Sequence, residues 1–270
     1  MNEAITKKIK ALPPLPESVT KIQAICNNPD SSISDLIKVV EKDPLLTANL
    51  LKAANSPLYG FSKEIKNIQQ AVSLFGMATV KGFAIANAVR SSFKIDLTPY
   101  HLTKENFLKI SELQNSLAIN WVSKIDRKML DVLATASFLI EIGKVVVSEF
   151  VKQLGKADEF ADKIGKSISL DDISKIEKEY IEVSSEEVAA EIFEHWNFEA
   201  DMVDTMKYMN NPFECEDKDI QKYALVLFIV KSCVNIKSQL NPESIDETLK
   251  IIDDNGFDKL KFLEAIQKVK

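Results

Sequence analysis

The run DVLATASFLIEIGKVVVSEFV, from Asp131 to Val151, decides the fold. It is apolar on nearly every side of a helical projection, the pattern of a helix enclosed by other helices. Its length approaches that of a bilayer span, which takes about 20 apolar residues. Glu141, Lys144 and Ser148 in its middle, with Asp131 and Glu149 near its ends, argue against that reading. The run reads as the central helix of a soluble bundle. Glu141 and Lys144 are spaced i,i+3, so they share one face and can pair. That face is a relic of a metal site, a working site or a structural ion pair, and the run itself leaves the three open.

Outward from this run the apolar positions keep a 3.6-residue spacing. The chain has only seven glycines and no period-2 alternation bounded by turn residues. An all-α protein is predicted. The punctuation upstream is legible: Pro13, Pro14 and Pro16 hold an extended entry, and Ser18 opens a helix that ends at Asn27-Asn28-Pro29. Ser32 caps the next helix, and Asp43-Pro44 is a stop and restart, with Asp43 as N-cap and Pro44 at the first helical position. Ser56 to Phe61 is a turn with aromatic anchors, and Gly76 is a left-handed cap that separates two helices. Thr98-Pro99 marks a joint, after which Thr103 caps a long helix that buries Phe107, Ile110, Leu117 and Trp121. Ser184-x-x-Glu187 has capping-box form. These marks divide the chain into an N-terminal helical lobe over 1–96, a second helical lobe over 97–212 and C-terminal helices over 213–270 that pack on the bundle.

The chain of 270 residues is 46% hydrophobic and 27% charged, with a net charge of −6. Only two arginines occur, Arg90 and Arg127. Nucleic-acid binders show a basic stripe and arginine forks, so direct nucleic-acid binding is not expected. Cys26, Cys215 and Cys233 are odd in number and far apart, which fits buried thiols in a reducing compartment. The N-terminus lacks a signal-type apolar run, and the apolar run Ala224–Val230 is too short to span a bilayer. A cytoplasmic protein without a membrane partner is expected.

Several motifs in fixed order carry a resemblance to a known family. Leu12-Pro13-Pro14-Leu15-Pro16 precedes a helix. Asp43-Pro44 with Leu50-Leu51 follows, then Ala54-Asn55-Ser56, Tyr59-Gly60 and a helix ending at Gly76. From about Leu12 to Pro212 the chain resembles the HDOD domain, a bacterial regulatory relative of the HD metal-dependent phosphohydrolases. The resemblance implies an HD-domain-like multi-helix bundle, with 97–212 as its HD-like lobe. In catalytic HD proteins, histidines and a His-Asp pair hold divalent metals that activate water. The corresponding places here fall at Asn115, at Ile140-Glu141 followed by Ile142-Gly143-Lys144, at Ser185, and near Tyr208-Met209-Asn210. Isoleucine cannot ligate, and serine and asparagine are weak neutral ligands. Loss of every imidazole removes the site, so no catalytic residue, metal or cofactor is expected.

The emptied site persists, on this reading, as a cleft lined by Asn115, Glu141, Lys144, Ser185 and Tyr208, able to take a small polar ligand. Its competitor is a plain Glu141–Lys144 ion pair. Asp43, Asn55, Ser56 and Tyr59 form a second group, explained either by capping and turn chemistry or as a surface for a lobe or partner. His101 and His195 read as surface or capping residues. Gly165-Lys166-Ser167 imitates a phosphate loop, but no strand precedes it. Asp253–Gly256 imitates a calcium loop without carboxylates at its first and twelfth positions. The resemblance implies a non-catalytic role in bacterial signal transduction through protein partners, with a small-molecule cue. A phosphohydrolase or phosphodiesterase with a rebuilt metal site, and a nucleotide-binding sensor, are the alternatives.

Overall fold

A computed structural model describes residues 3–61 and 64–270. Fifteen α-helices and four single-turn 3₁₀ segments carry these residues, and the only β pairing among them is two isolated bridges. The N-terminal part holds α1 (Glu3–Lys10), α2 (Glu17–Asn27), α3 (Ile33–Val40), α4 (Pro44–Ala54) and α5 (Ile68–Ser92). The middle holds α6 (Lys104–Ile125), α7 (Leu130–Ala136), α8 (Gly143–Gln153), α9 (Ala157–Lys166), α10 (Leu170–Ile181), α11 (Ser185–His195) and α12 (Ala200–Lys207). Then come α13 (Lys218–Cys233), α14 (Pro242–Asp254) and α15 (Lys259–Val269). The fold is all-α, as predicted.

Most of the predicted caps form. Ser32 and Ser184 each close a capping box, with Asp35 and Glu187 as the reciprocal partners. The Asp43 carboxylate accepts from the Leu46 amide at 3.0 Å, with Pro44 at the first helical position. Two expectations are corrected. Ser18 opens nothing: α2 begins at Glu17 behind Pro16, and the Ser18 hydroxyl instead donates to Asp43 at 2.9 Å. Gly76 has φ 78° but ψ 165°, so it is not a left-handed cap. It kinks α5, whose helical path resumes at once, in a backbone region that is essentially reserved for glycine.

The central run is also not one helix. α7 stops at Ala136 and α8 starts at Gly143, and the intervening amides bond three residues back (Phe138 to Thr135, Leu139 to Ala136, Ile142 to Leu139). The cause is a side chain inserted into the ladder, as at other helix breaks. The Asn115 amide, reaching across from α6, donates to the Ala134 carbonyl at 2.9 Å, the acceptor that an unbroken helix would give to Phe138. Ser137 Oγ donates to Leu133 O at 2.6 Å and competes in the same turn.

Around this break the helices close tightly. α5 lies on α7 at Gly82, where a methyl group would sit 2.5 Å from the Ala134 carbonyl oxygen. α8 crosses α11 at Gly143, where a methyl group would come within 1.8 Å of Ser185 O. α15 lies along α6, and the Trp121 ring packs on Phe257 and Phe262 at 5.3 and 4.8 Å. α5 is the one described helix long and apolar enough, by composition, to cross a bilayer, and most of it is buried within the bundle.

Candidate functional site

The crossing of α8 and α11 gathers the charged groups of the interior. Glu141 in the turn before α8 and Lys144 in its first turn are buried, as are Glu177 on α10, Glu186 in the first turn of α11 and Lys231 on α13. Lys144 Nζ lies 2.9 Å from Glu141, 3.6 Å from Glu177 and 3.7 Å from Glu186, and donates to Ser185 Oγ at 2.8 Å. Lys231 pairs with Glu186 from the other side. Neutral donors also reach these carboxylates. Gln114 Nε2 donates to Glu141 at 3.0 Å, and Asn210 Nδ2 donates to Glu186 at 2.8 Å. Glu177 accepts from the Tyr100 hydroxyl at 2.8 Å and the Ser185 amide at 2.6 Å. The Ser185 amide is one of the free N–H groups at the start of α11, where the helix dipole also favours negative charge.

Three carboxylates thus face two ammoniums, and the groups respond differently. Burial raises Glu141, but the ammoniums of Lys144 and Lys231 override it and hold this carboxyl below its ordinary value. Burial also opposes ionisation of Glu186, and Lys231 and Lys144 pull it well below that value. Glu177 goes the other way: burial pushes it up, Lys144 offsets this in part, and the neighbouring Glu186 charge adds to the rise. Burial opposes the charge on Lys144, and the three carboxylates more than restore it. The cluster is electrically balanced when Glu177 carries the odd proton.

The site residues predicted from sequence separate into groups. Glu141, Lys144 and Ser185 come together in this cluster. Asn115 does not join it: its amide holds Ala134 O and Ser137 Oγ, and its Oδ1 accepts from the Tyr59 hydroxyl at 2.9 Å. Ile140 is buried in the apolar core. Tyr208 follows α12 and lines a largely acidic cavity of about 500 Å³ with Glu187, Glu191 and Glu194, which adjoins the cluster only through Glu186 and Asn210. The place expected to persist as a cleft is filled by direct ion pairs, because Lys144 and Lys231 reach into it.

The second predicted group has local work. Asp43 caps α4, and Asn55 clamps the Ile65 backbone through both of its side-chain groups at 2.9 and 2.8 Å. Ser56 Oγ caps the turn Pro57–Tyr59, and Tyr59 is buried against Phe75 and Phe83. Asp43, Ser56 and Tyr59 also line a cleft of about 660 Å³ between α2, α4 and α5 on one side and α6 on the other. His101 and His195 face the carbonyls of Ala161 and Leu12, away from the charged cluster.

Glu177, Glu186, Lys231, Tyr100 and Gln114 escaped the sequence reading. Lys231 carried a usable signal, since it directly follows the apolar run Ala224–Val230, just as Glu141 and Lys144 interrupt an apolar run. Glu177 sits in KIEKEY among exposed charges and carried none.

Residues 12–212 match the family model of the HDOD domain. The chain belongs to the HDOD domain family. Three solved structures are similar to it. A virulence factor from Campylobacter jejuni subsp. jejuni is 27% identical, with a TM-score of 0.60 and coverage of 99% of this chain and 95% of the other. A Shewanella amazonensis SB2B protein provisionally named a phosphohydrolase is 20% identical, with a TM-score of 0.69 and coverage of 99% and 98%. A Marinobacter aquaeolei VT8 protein provisionally named a signal transduction protein is 20% identical, with a TM-score of 0.67, and spans all of this chain and 60% of its own. Among curated proteins, one from Treponema pallidum (strain Nichols) is 34% identical over 74 residues, which are 27% of this chain and 14% of that protein. The HDOD match and these neighbours establish the HD-like helical fold.

The metal of catalytic HD relatives does not fit this HDOD chain. The carboxylate oxygens that could ligate it converge on the Lys144 and Lys231 ammoniums, and no imidazole points at them. A divalent ion would have to displace a buried ammonium or sit against it, with like charges a few ångströms apart in a low-dielectric interior.

Proposed function

We propose that this HDOD protein is a non-catalytic regulatory component of bacterial signal transduction that acts through protein contacts. The observation that supports the reading is the Lys144 ammonium, held by Glu141, Glu177, Glu186 and Ser185 among the residues that the resemblance assigns to the HD metal site. A lysine there supplies positive charge to the fold but cannot lower the pKa of a bound water or hold a phosphate oxygen by coordination. What remains is a rigid helical body with partner-facing surfaces. The Leu45, Phe213 and Leu260 side chains are among its exposed apolar groups. Three unpaired thiols are in keeping with a reducing, cytoplasmic setting.

The test is elemental analysis of the purified protein alongside hydrolysis assays on a generic phosphodiester and a nucleotide panel, each with Mn²⁺, Mg²⁺ or chelator. Substoichiometric metal and no turnover are expected. Stoichiometric divalent metal, with hydrolysis that chelator and Glu141→Gln both abolish, would overturn the reading in favour of a rebuilt phosphohydrolase.

A further inference from the structure

The cleft of about 660 Å³ contains one of the two arginines in the chain, and its guanidinium is poorly satisfied. Arg90 Nε and Nη2 are buried without a hydrogen-bond partner. Nη1 lies 3.9 Å from Glu112, too far for a hydrogen bond. The guanidinium is otherwise stacked over the Phe138 ring at 5.3 Å. A guanidinium offers five N–H donors in a rigid fork. A buried donor left unpaired is costly, and in a native fold each such group calls for an explanation, a bound water or ion among them.

The remaining walls say what kind of molecule that is. Lys52 and Lys104 add two cations, against Asp43 and Glu112. Asp43 is already spent on the α4 N-terminus and on Ser18. Including Arg90, the charged lining therefore has an excess of one positive charge. Leu45, Leu46, Leu108 and Phe83 supply apolar wall, and Asn49 and Asn87 present amides. A volume of this size falls within the range of sites for small organic ligands, about 300–1,000 Å³.

We infer that this cleft is a binding site for a small organic monoanion, whose carboxylate or phosphodiester head pairs with Arg90 and whose body lies on the apolar wall. Such a ligand would touch α4 and α5 on one side and α6 on the other, so its binding would favour one spacing of these elements. The inference is independent of whether the HD-like centre is catalytic, since no residue of that cluster lines the cleft.

The test is thermal denaturation of the full chain with three sets of probes: aromatic and aliphatic monocarboxylates, cyclic mononucleotides, and inorganic sulfate and phosphate. Wild type is expected to gain about 5 °C from at least one organic set at a hundredfold excess over Kd. The responding set distinguishes carboxylate from phosphodiester. Arg90→Met should abolish the gain, and Arg90→Lys, which keeps the charge but loses the fork, should weaken binding at least about tenfold. Without ligand, Arg90→Met should melt at or above the wild-type temperature, because it removes orphaned donors while keeping a similar volume. Three results would overturn the inference: no response to any organic probe, an equal response in Arg90→Met, or a response to the inorganic ions alone. A marked loss of stability in ligand-free Arg90→Met would do the same, since it would mean the guanidinium is already satisfied within the protein.

Discussion

Lys144 illustrates how many buried charges one side chain can hold together. Its ammonium lies within 4 Å of three buried carboxylates at once, and Lys231 is the second cation of the cluster. Replacing Lys144 by methionine keeps the volume but leaves those carboxylates with Lys231 alone. Breaking a buried pair in this way destabilises by about 3–5 kcal/mol, and the urea midpoint of Lys144→Met should fall accordingly. Adding Glu141→Leu to that variant should recover part of the loss. Glu177 gives a prediction of opposite sign. Its carboxyl is raised in the folded protein, so the native state binds more protons than the unfolded chain above the ordinary value of 4.5, and stability falls as pH rises through that window. Glu177→Gln should therefore be more stable than wild type at pH 8, with the difference closing near pH 4.5. Glu141 and Glu186 are lowered, so their contribution is present above about 4.5 and is lost as pH falls below it. Both trends can be read from denaturation midpoints across pH.

At the scale of elements, the break between α7 and α8 is made by a residue on another helix. Asn115 satisfies Ala134 O, Ser137 Oγ and the Tyr59 hydroxyl together. Asn115→Ala would orphan the Ala134 carbonyl and the Tyr59 hydroxyl in a buried setting, while Ser137 Oγ keeps its bond to Leu133 O, and should destabilise by about 2–3 kcal/mol, with Tyr59→Phe milder because it removes one bond only. Two glycines make a contrasting pair. Gly143→Ala fails for lack of space, since its methyl would overlap the Ser185 carbonyl. Gly76→Ala has open space but a positive φ, and the strain of that backbone is of order 1–3 kcal/mol. Chemical denaturation should show the larger loss at Gly143, and crystal structures should show α8 and α11 pushed apart only there.

The whole molecule extends beyond its family match. The HDOD match ends at residue 212, yet α13 supplies Lys231 to Glu186, and Phe257 and Phe262 cover Trp121 on α6. A chain truncated after Pro212 would expose that indole and leave the charge cluster short of one ammonium. It should be insoluble or rapidly degraded by protease, whereas the full chain resists; a stable, helical 1–212 fragment by circular dichroism would contradict this.

The all-α class, the helix caps at Ser32, Asp43, Thr103 and Ser184, and the family were legible in the residues alone, because caps and 3.6-residue spacing are local properties of consecutive side chains. That imidazoles are missing from the places the resemblance assigns to the HD ligands was legible for the same reason. What replaced them was not. The Glu141–Lys144 pair could be seen at i,i+3, but Glu177, Glu186 and Lys231 come from three other helices, and no spacing in the chain states that these will meet. The break in the central run was equally hidden: an all-round apolar stretch looks the same whether or not a distant asparagine takes one of its carbonyls. The orphaned guanidinium of Arg90 is likewise a fact of three dimensions, since a donor lacks a partner only with respect to everything packed around it.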